Sequence, residues 1–482
     1  MSEQQKQKKI AIIGGGIGGL SAAYAIEKEA DAKNLNNRLN IKIDVFEKQG
    51  RMGGNIQTDR IDGFVVEGGP DCVYSEKPAS LELCNEIGLE NELLRTREEK
   101  KGTFVYWNGR LHNLPEGVIL MIPTMIMPIL LSPLISLPGK LRMALEPFIP
   151  KRTSEEEESL SQFVRRRLGK ELLEKIAEPL VGGIHAGNAE TMSIKASFPR
   201  FVDLEQKYGS LIRGMLARKK QMGLTSKGKR PKYTMFMTLK KGLQDFTDTL
   251  QKKLSKTKFH INKEVSSISQ ENGGYEITFK DGMLQKYDSV IIATPAYNAA
   301  ELIKGMNANL SDKLMEIPYS STATVSLAYS FSDLKSIQKG FGFIVPRISN
   351  RKIMAATYTS NKFLFRAPEG KGLVRCFVGG AQKEELVSLD DKEMGKMVRK
   401  ELKEIAGIDG QPLFTKIYRW EKAMPQYVIG HIDRVKKIEA LFAECPGLYS
   451  SGSAYNGIGT SDCISTSRKV GESVVGFLSK ES

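Results

Sequence analysis

Cysteine is scarce in this chain of 482 residues. There are five, at 72, 84, 376, 445 and 463, an odd number with no CxxC pair among them. That spacing excludes a disulfide framework and a zinc knuckle and suits a reducing compartment. Histidine is scarcer still, with four residues (His112, His185, His260 and His431), none spaced as metal ligands. No metal site is expected. The lysine-rich start, Met1 to Lys8, leads straight into a strand-like run and lacks the apolar core of a signal peptide. Acidic residues are outnumbered, 56 to 71, for a net charge of +15. Such a balance favours an anionic partner. There is no zinc-finger spacing, RNA-binding aromatic signature or arginine-rich arm, so nucleic acid is not the expected one.

A long charge-free run is present, from Val118 to Leu137. Its length suits a membrane span of about 20 residues. Pro123, Pro128, Pro133 and Pro138 interrupt it every five residues, each costing about 3 kcal/mol in a helix interior. In lipid the freed carbonyls would find no water. A spanning helix is therefore rejected. A surface facing a membrane or a substrate channel is expected, with ordinary helical core as the plainer reading.

The length exceeds what one core organises, so two or three domains are expected. Lys9 to Ile13 reads as a buried strand, followed by a glycine loop and a helix from about Gly18 to Glu29. After a polar insertion, Lys33 to Arg38, a second strand runs from Ile41 to Glu47. Val265 to Ser269, Tyr275 to Phe279 and Ser289 to Ala293 are separated by Asn272-Gly273-Gly274 and Asp281-Gly282, a meander ending in a buried strand. Tyr319 to Phe331 and Leu373 to Val378 are expected strands of a second sheet. Leu160 to Ile176 and Asp391 to Ile405 have helical period.

The loop Gly14-Gly15-Gly16-Ile17-Gly18-Gly19 fits G-x-G-x-x-G at Gly14, Gly16 and Gly19. The first glycine permits the tight turn, the second lets a pyrophosphate reach the backbone, and the third lets the helix pack on the strand. The helix N-terminus then offers free N–H groups and partial positive charge to phosphates. Glu47 ends the second strand, placed to bond a ribose hydroxyl, and an acid there argues against a 2′-phosphate. The motif alone leaves NAD and FAD open. No second G-x-G-x-x-G exists to bind a nicotinamide cofactor.

Arg51-Met52-Gly53-Gly54 resembles the R-x-G-G continuation of the FAD-dependent amine oxidase superfamily, and Glu67-Gly68-Gly69-Pro70 resembles its next turn. Within it, Gly182-Gly183-Ile184-His185-Ala186-Gly187 is similar to the G-V-Y-A-G segment of protoporphyrinogen oxidases. Phe198-Pro199-Arg200-Phe201 and Leu211-Ile212-Arg213-Gly214-Met215 follow in family order. Ala293-Thr294-Pro295 resembles the returning FAD strand, Arg419-Trp420 with Met424-Pro425-Gln426-Tyr427 the segment before the last flavin contact, and Gly452, Gly457-Ile458-Gly459 and Asp462-Cys463-Ile464 the C-terminal flavin motif. The nearest resemblance is to the Gram-positive enzymes that oxidise coproporphyrinogen III.

The resemblance implies an α/β chain with a discontinuous Rossmann-like FAD-binding domain (1–90, 232–296 and 441–482). A helical, membrane-facing subdomain (91–231) and a mixed-sheet substrate domain (297–440) complete it. It implies FAD as cofactor, held by Gly14, Gly16, Gly19, Glu47, Arg51, Gly53, Gly54, Val265, Thr294, Trp420, Gly452, Gly457 and Gly459. It implies six-electron oxidation of a porphyrinogen in haem synthesis, with oxygen as acceptor and hydrogen peroxide released, in the cytoplasm with peripheral membrane attachment. Gly183 would present a backbone carbonyl near the reacting carbon, with Gly182 beside it. Arg97 would pair with a propionate, unless it is a solvated basic turn, and Phe363 would stack on the macrocycle, unless it is plain core. Two departures stand out: Gln57 where many eukaryotic members have arginine, and His185 in place of tyrosine, read as packing. Arg95, Arg97, Lys100, Lys101 and Arg218-Lys219-Lys220 favour the four-propionate coproporphyrinogen III over protoporphyrinogen IX.

Rivals are an amine oxidase, a carotenoid desaturase, or a non-catalytic flavin- or haem-binding membrane protein. Ser451-Gly452-Ser453-Ala454 lacks the flavin-linking cysteine of many amine oxidases. A desaturase would explain 118–137 but not the Gly183 or Gly452 segments.

Overall fold

A computed structural model describes residues 6–33, 39–115, 118–119, 122–123, 126–225, 232–271, 273–337 and 339–480. Strand β1 (Lys6–Ile13) leads through the glycine loop into helix α1 (Ile17–Ala32) and strand β2 (Leu39–Phe46). The inserted loop expected at Lys33 to Arg38 lies, but for Lys33, outside the described residues. A parallel sheet forms in the order Thr257–His260, β2, β1, Ser289–Ile292, Leu448–Ser450. Its strands come from three distant stretches of chain. Ile10, Ala11, Ile12, Val290, Ile291 and Ile292 have no exposure, as continuous apolar runs covered on both faces should. The C-terminal helix, Thr460–Lys480, packs on α1, and a Cβ at Gly471 would lie 2.6 Å from that of Ala25.

The meander forms its own antiparallel sheet (Val265–Glu271, Gly274–Phe279, Leu284–Tyr287). The second large sheet runs Phe414–Pro425, Tyr319–Ser330, Lys371–Gly379, Ala355–Tyr358, Gly342–Ile344, Phe104–Trp107, Arg110–Asn113. The last two strands lie in the stretch expected to be largely helical. Phe104 and Val105 pair in parallel with Phe343 and Ile344, which ties the helical region to the substrate sheet.

The helix expected from Leu160 to Ile176 is broken. Leu160–Leu168 ends at Gly169, whose φ of +94° stops an α-helix, and the chain restarts through a wide π turn, Leu173–Ala177, into Glu178–His185. A side chain at Gly169 would also strike Arg142, 2.8 Å from Cγ. Of the charge-free run, residues 120–121 and 124–125 lie outside the described residues. Among those described, no helix is long and apolar enough to cross a membrane.

Candidate active site

The glycine loop sits where β1, β2 and the Ser289–Ile292 strand converge. Gly14 N–H donates to Phe46 O at 2.8 Å. Its φ is +110°, and a Cβ there would lie 2.6 Å from Ala293 O. One on Gly19 would lie 2.0 Å from Gly14 O. One on Gly16 would meet nothing closer than Gly54 Cα at 3.8 Å. So the outer two glycines serve close packing and the middle one leaves the backbone open. No side chain caps α1 and no acid lies in its first turn. Its N–H groups remain free for an anion.

Glu47 follows β2, and both its oxygens are held by backbone: Gly15 N–H donates to Oε2 and Gln49 N–H to Oε1, each at 2.9 Å. Gly53 N–H donates to Gly15 O at 2.8 Å, and a Cβ on Gly54 would lie 3.0 Å from Gly16 Cα. Arg51 reaches this turn from behind. Its guanidinium donates to Ile56 O at 3.0 Å, Gly54 O at 2.5 Å and the Gln57 amide oxygen at 3.2 Å. Arg51 thus braces the glycine turn, and Gln57 braces Arg51.

The C-terminal segment closes the cleft. Gly452 has φ +130° and faces open space, with nothing within 4 Å of a would-be Cβ, while Gly18 abuts it. Gly457 (φ +129°) donates its N–H to the Tyr427 hydroxyl at 2.7 Å, and Gly459 N–H reaches Asp462 Oδ2 at 3.2 Å. Asp462 also pairs with Lys77 at 2.7 Å. Thr294 lies against the Gly14 turn. Val265 is buried where the meander's register shifts. Trp420 Nε1 donates to Gly68 O at 2.9 Å.

On the other side, Gly182 and Gly183 occupy the last turn of Glu178–His185. Gly182 has no neighbour within 4 Å of a Cβ, and Gly183 only Ala355 at 3.8 Å. Ala186, at φ +50°, ends the helix and donates its N–H to Gly182 O. His185 sets its ring edge-on to Phe198 at 5.2 Å. Burial, with Lys77 adding to it, pushes the imidazole down to about 4. It is neutral at physiological pH, which fits packing better than proton transfer.

Arg97 lies against the Thr359–Lys362 turn. Its N–H donates to Lys362 O at 3.0 Å and its guanidinium contacts Glu99 at 2.7 Å and Ser360 O at 3.4 Å. A quarter of the side chain stays exposed. Phe363 requires a correction. It has no exposed surface, with the Lys362 ammonium 5.1 Å and the Arg366 guanidinium 5.8 Å from its ring centre. A ring closed in this way packs the wall and offers no face to a macrocycle.

A buried ionic cluster beneath the Glu67–Pro70 turn escaped the sequence reading. Lys362 pairs with Asp71 at 3.0 Å, and Lys362 and Arg375 hold that carboxyl well below the usual range against its burial. Arg375 donates to Gly68 O at 2.9 Å and Gly69 O at 2.5 Å. Gly68 O also takes the Thr324 hydroxyl at 2.9 Å. The carboxylate at 71 and the cations at 362 and 375 lie some 300 residues apart and leave no local pattern. Only Asp71, one position beyond the quoted turn, was within reach of motif reading. Among the described residues no group of histidine, cysteine or carboxylates could hold a metal, and the five cysteines are free.

A parallel sheet built from three distant stretches of the chain, an uncapped helix after G-x-G-x-x-G, and a separate, mostly antiparallel sheet are the plan of an FAD-dependent oxidoreductase. The residues fit the cofactor: Gly16, Gly54 and Gly452 line a cradle that a Cβ would narrow, and Glu47, held by the glycine loop at the end of β2, would be the partner for a ribose hydroxyl. The chain belongs to the flavin containing amine oxidoreductase family, whose model matches residues 17–474. It is 36% identical over 462 residues to a coproporphyrinogen III oxidase of Bacillus subtilis, covering 95% of this chain and 96% of that one. A coproporphyrinogen III oxidase of Staphylococcus aureus is 33% identical, covering 98% and 100%. A chloroplastic protoporphyrinogen oxidase of Nicotiana tabacum is 29% identical, covering 97% and 86%. Among solved structures, a putative protoporphyrinogen oxidase from Exiguobacterium superposes with a TM-score of 0.84 at 31% identity, covering 97% and 98%.

Proposed function

We propose that this chain carries out the six-electron oxidation of a porphyrinogen to a porphyrin in haem biosynthesis, coproporphyrinogen III to coproporphyrin III. The observation that carries the reading is the end-to-end match, at 36% identity, to a relative of that name. FAD, when bound, accepts a hydride equivalent in each two-electron round and passes the electrons to oxygen, giving hydrogen peroxide. The chain's own residues bind, orient and exclude water.

The Gly182–Gly183 turn, free of side chains, makes room for a bulky macrocycle beside helix carbonyls that carry partial negative charge. Positive charge developing on the carbon that loses hydride would be stabilised there. Arg97, a quarter exposed, is the propionate partner, its guanidinium suited to two parallel hydrogen bonds. Coproporphyrinogen III, with four carboxylates, suits the +15 chain better than protoporphyrinogen IX, with two. The test is anaerobic bleaching of the bound flavin, and porphyrin fluorescence, with each substrate at matched concentration. A larger kcat/KM for protoporphyrinogen would overturn the substrate. A flavin that neither bleaches would leave a non-catalytic flavoprotein.

The reading extends to a cytoplasmic protein touching an anionic membrane. On the Leu137–Ala144 helix and beyond it, Leu137, Leu141 and Leu145 recur every fourth residue at 70%, 61% and 56% exposure, with Leu131 at 76% and Phe148 at 77% beside them. Exposed apolar residues along one stripe, with Lys140 and Lys151 close by in the sequence, suit a headgroup boundary.

A further inference from the structure

The sequence motif Met424-Pro425-Gln426-Tyr427 was singled out by resemblance alone, and neither glutamine nor tyrosine has a part in the reaction as described so far. Both side chains are 7% exposed. They leave one extended segment in opposite directions and end on the two halves of the site. Gln426 Nε2 donates to His185 O at 3.2 Å, to the Ser320 hydroxyl at 2.9 Å and to Met424 O at 3.1 Å. Its amide oxygen would lie 2.8 Å from a Cβ on Gly187, so a side chain there would push the amide aside. Tyr427 Oη donates to Ser453 O at 2.7 Å and accepts the Gly457 N–H at 2.7 Å. One hydroxyl therefore spans the loop that carries the open Gly452 side of the FAD cleft.

The segment is fixed along its length. Gln426 N–H donates to Pro318 O at 2.8 Å, and Tyr427 O accepts Ser193 N–H at 2.8 Å. The Tyr427 ring stacks on His431 at 3.8 Å, and His431 Nε2 donates to Tyr455 O at 3.0 Å within the same loop. Burial keeps the phenol protonated, so it can donate and accept together, and lowers the His431 imidazole below its ordinary value.

We propose that Gln426 and Tyr427 form a clasp that sets the spacing between the Gly182–Ala186 substrate turn and the 453–457 flavin loop, each residue positioning one side. They are positioning residues: Tyr427 acts on FAD through backbone, and Gln426 on substrate through the His185 carbonyl. The Gln426 half rests on the porphyrinogen reading, whereas the Tyr427 half rests only on FAD.

The test uses the FAD-loaded enzyme with Tyr427→Phe, which keeps the stack and loses the hydroxyl, and Gln426→Met, which keeps the volume and loses the donors. For Tyr427→Phe we expect FAD affinity to fall about tenfold, the worth of one bridging hydroxyl. The visible circular dichroism of the bound flavin should change, with KM for coproporphyrinogen unchanged. For Gln426→Met we expect unchanged FAD affinity and dichroism. Anaerobic flavin reduction should slow about tenfold, for the same loss of hydrogen bonds, with little change in KM. Equal FAD affinity and dichroism in wild type and Tyr427→Phe overturns the clasp, as does a Gln426→Met enzyme that reduces its flavin at the wild-type rate. Loss of FAD and of thermal stability together in both variants also overturns it, because that marks ordinary packing. If wild type itself is not reduced by a porphyrinogen, the functional reading and the Gln426 half fall together, while the dichroism still decides Tyr427.

Discussion

At the scale of single residues, the two outer glycines of the first loop do different work from the middle one. A methyl on Gly19 would lie 2.0 Å from Gly14 O, a contact that backbone on both sides cannot relieve. Gly19→Ala should lift α1 off the loop, cost about 1–3 kcal/mol of stability and abolish FAD retention, read by absorbance of the purified protein. Arg97→Ala should raise KM for the porphyrinogen by a factor worth about 1.5–3 kcal/mol, with normal FAD content; an unchanged KM removes Arg97 from the site. His185 makes a pH prediction. Its folded pKa, pushed down to about 4, lies below the ordinary value of 6.5. The unfolded chain therefore binds the extra proton first, and stability falls as pH drops from about 6.5 toward 4. A Tyr at 185 should remove that part of the acid sensitivity in denaturant titrations at pH 5 and 7. At this scale the cofactor side was legible, because glycines near a phosphate are demanded by sterics at fixed spacing. Phe363 was not, because an aromatic in sequence looks the same whether its face is open or closed.

Among the elements, those read correctly have one period and no internal conflict: β1, α1, β2 and Asp391–Ala406 each fall within a few residues of expectation. The failure at Leu160 to Ile176 came from a glycine whose backbone angle periodicity does not record. The helical region is instead organised by a buried carboxylate. Glu146 accepts the Ser210 hydroxyl at 2.5 Å and the N–H groups of Leu211 and Ile212 at 2.8 and 3.2 Å, and pairs with Arg167, both side chains having no exposure. It caps the Leu211–Thr225 helix from 65 positions away. Glu146→Ala leaves the buried Arg167 with only Glu205, at 3.6 Å, and uncaps the Leu211–Thr225 helix, so the denaturation midpoint should fall by the equivalent of about 1–3 kcal/mol. The apolar stripe of Leu137, Leu141 and Leu145 yields a separate outcome. Leu141→Glu with Phe148→Glu should abolish flotation with phosphatidylglycerol vesicles while leaving turnover of detergent-free substrate unchanged. Flotation of the double variant as strong as wild type would remove the membrane contact.

For the whole molecule, segments near residues 14, 53, 294 and 452 meet around one cleft, so FAD bound there would act as a cross-link between distant parts of the chain. At a thousandfold excess over its Kd it should add about 4 kcal/mol to stability. The midpoint of thermal unfolding should rise accordingly on adding FAD to apoprotein and return on its removal. The discontinuous α/β plan was legible because each stretch carries its own motif. The union of Phe104–Asn113 with the second large sheet was not, since strand partners 239 positions apart leave no local trace.

The packing of Thr460–Lys480 against α1 has a consequence for how the protein is made. The glycine loop is synthesised well before the wall at Gly452 and the helix behind it. A nascent chain can fold its first strand and helix early but cannot enclose a flavin. Enclosure of the cofactor must therefore wait for the Gly452 segment, and a chain halted before residue 452 should purify without bound FAD, as read by its visible absorbance.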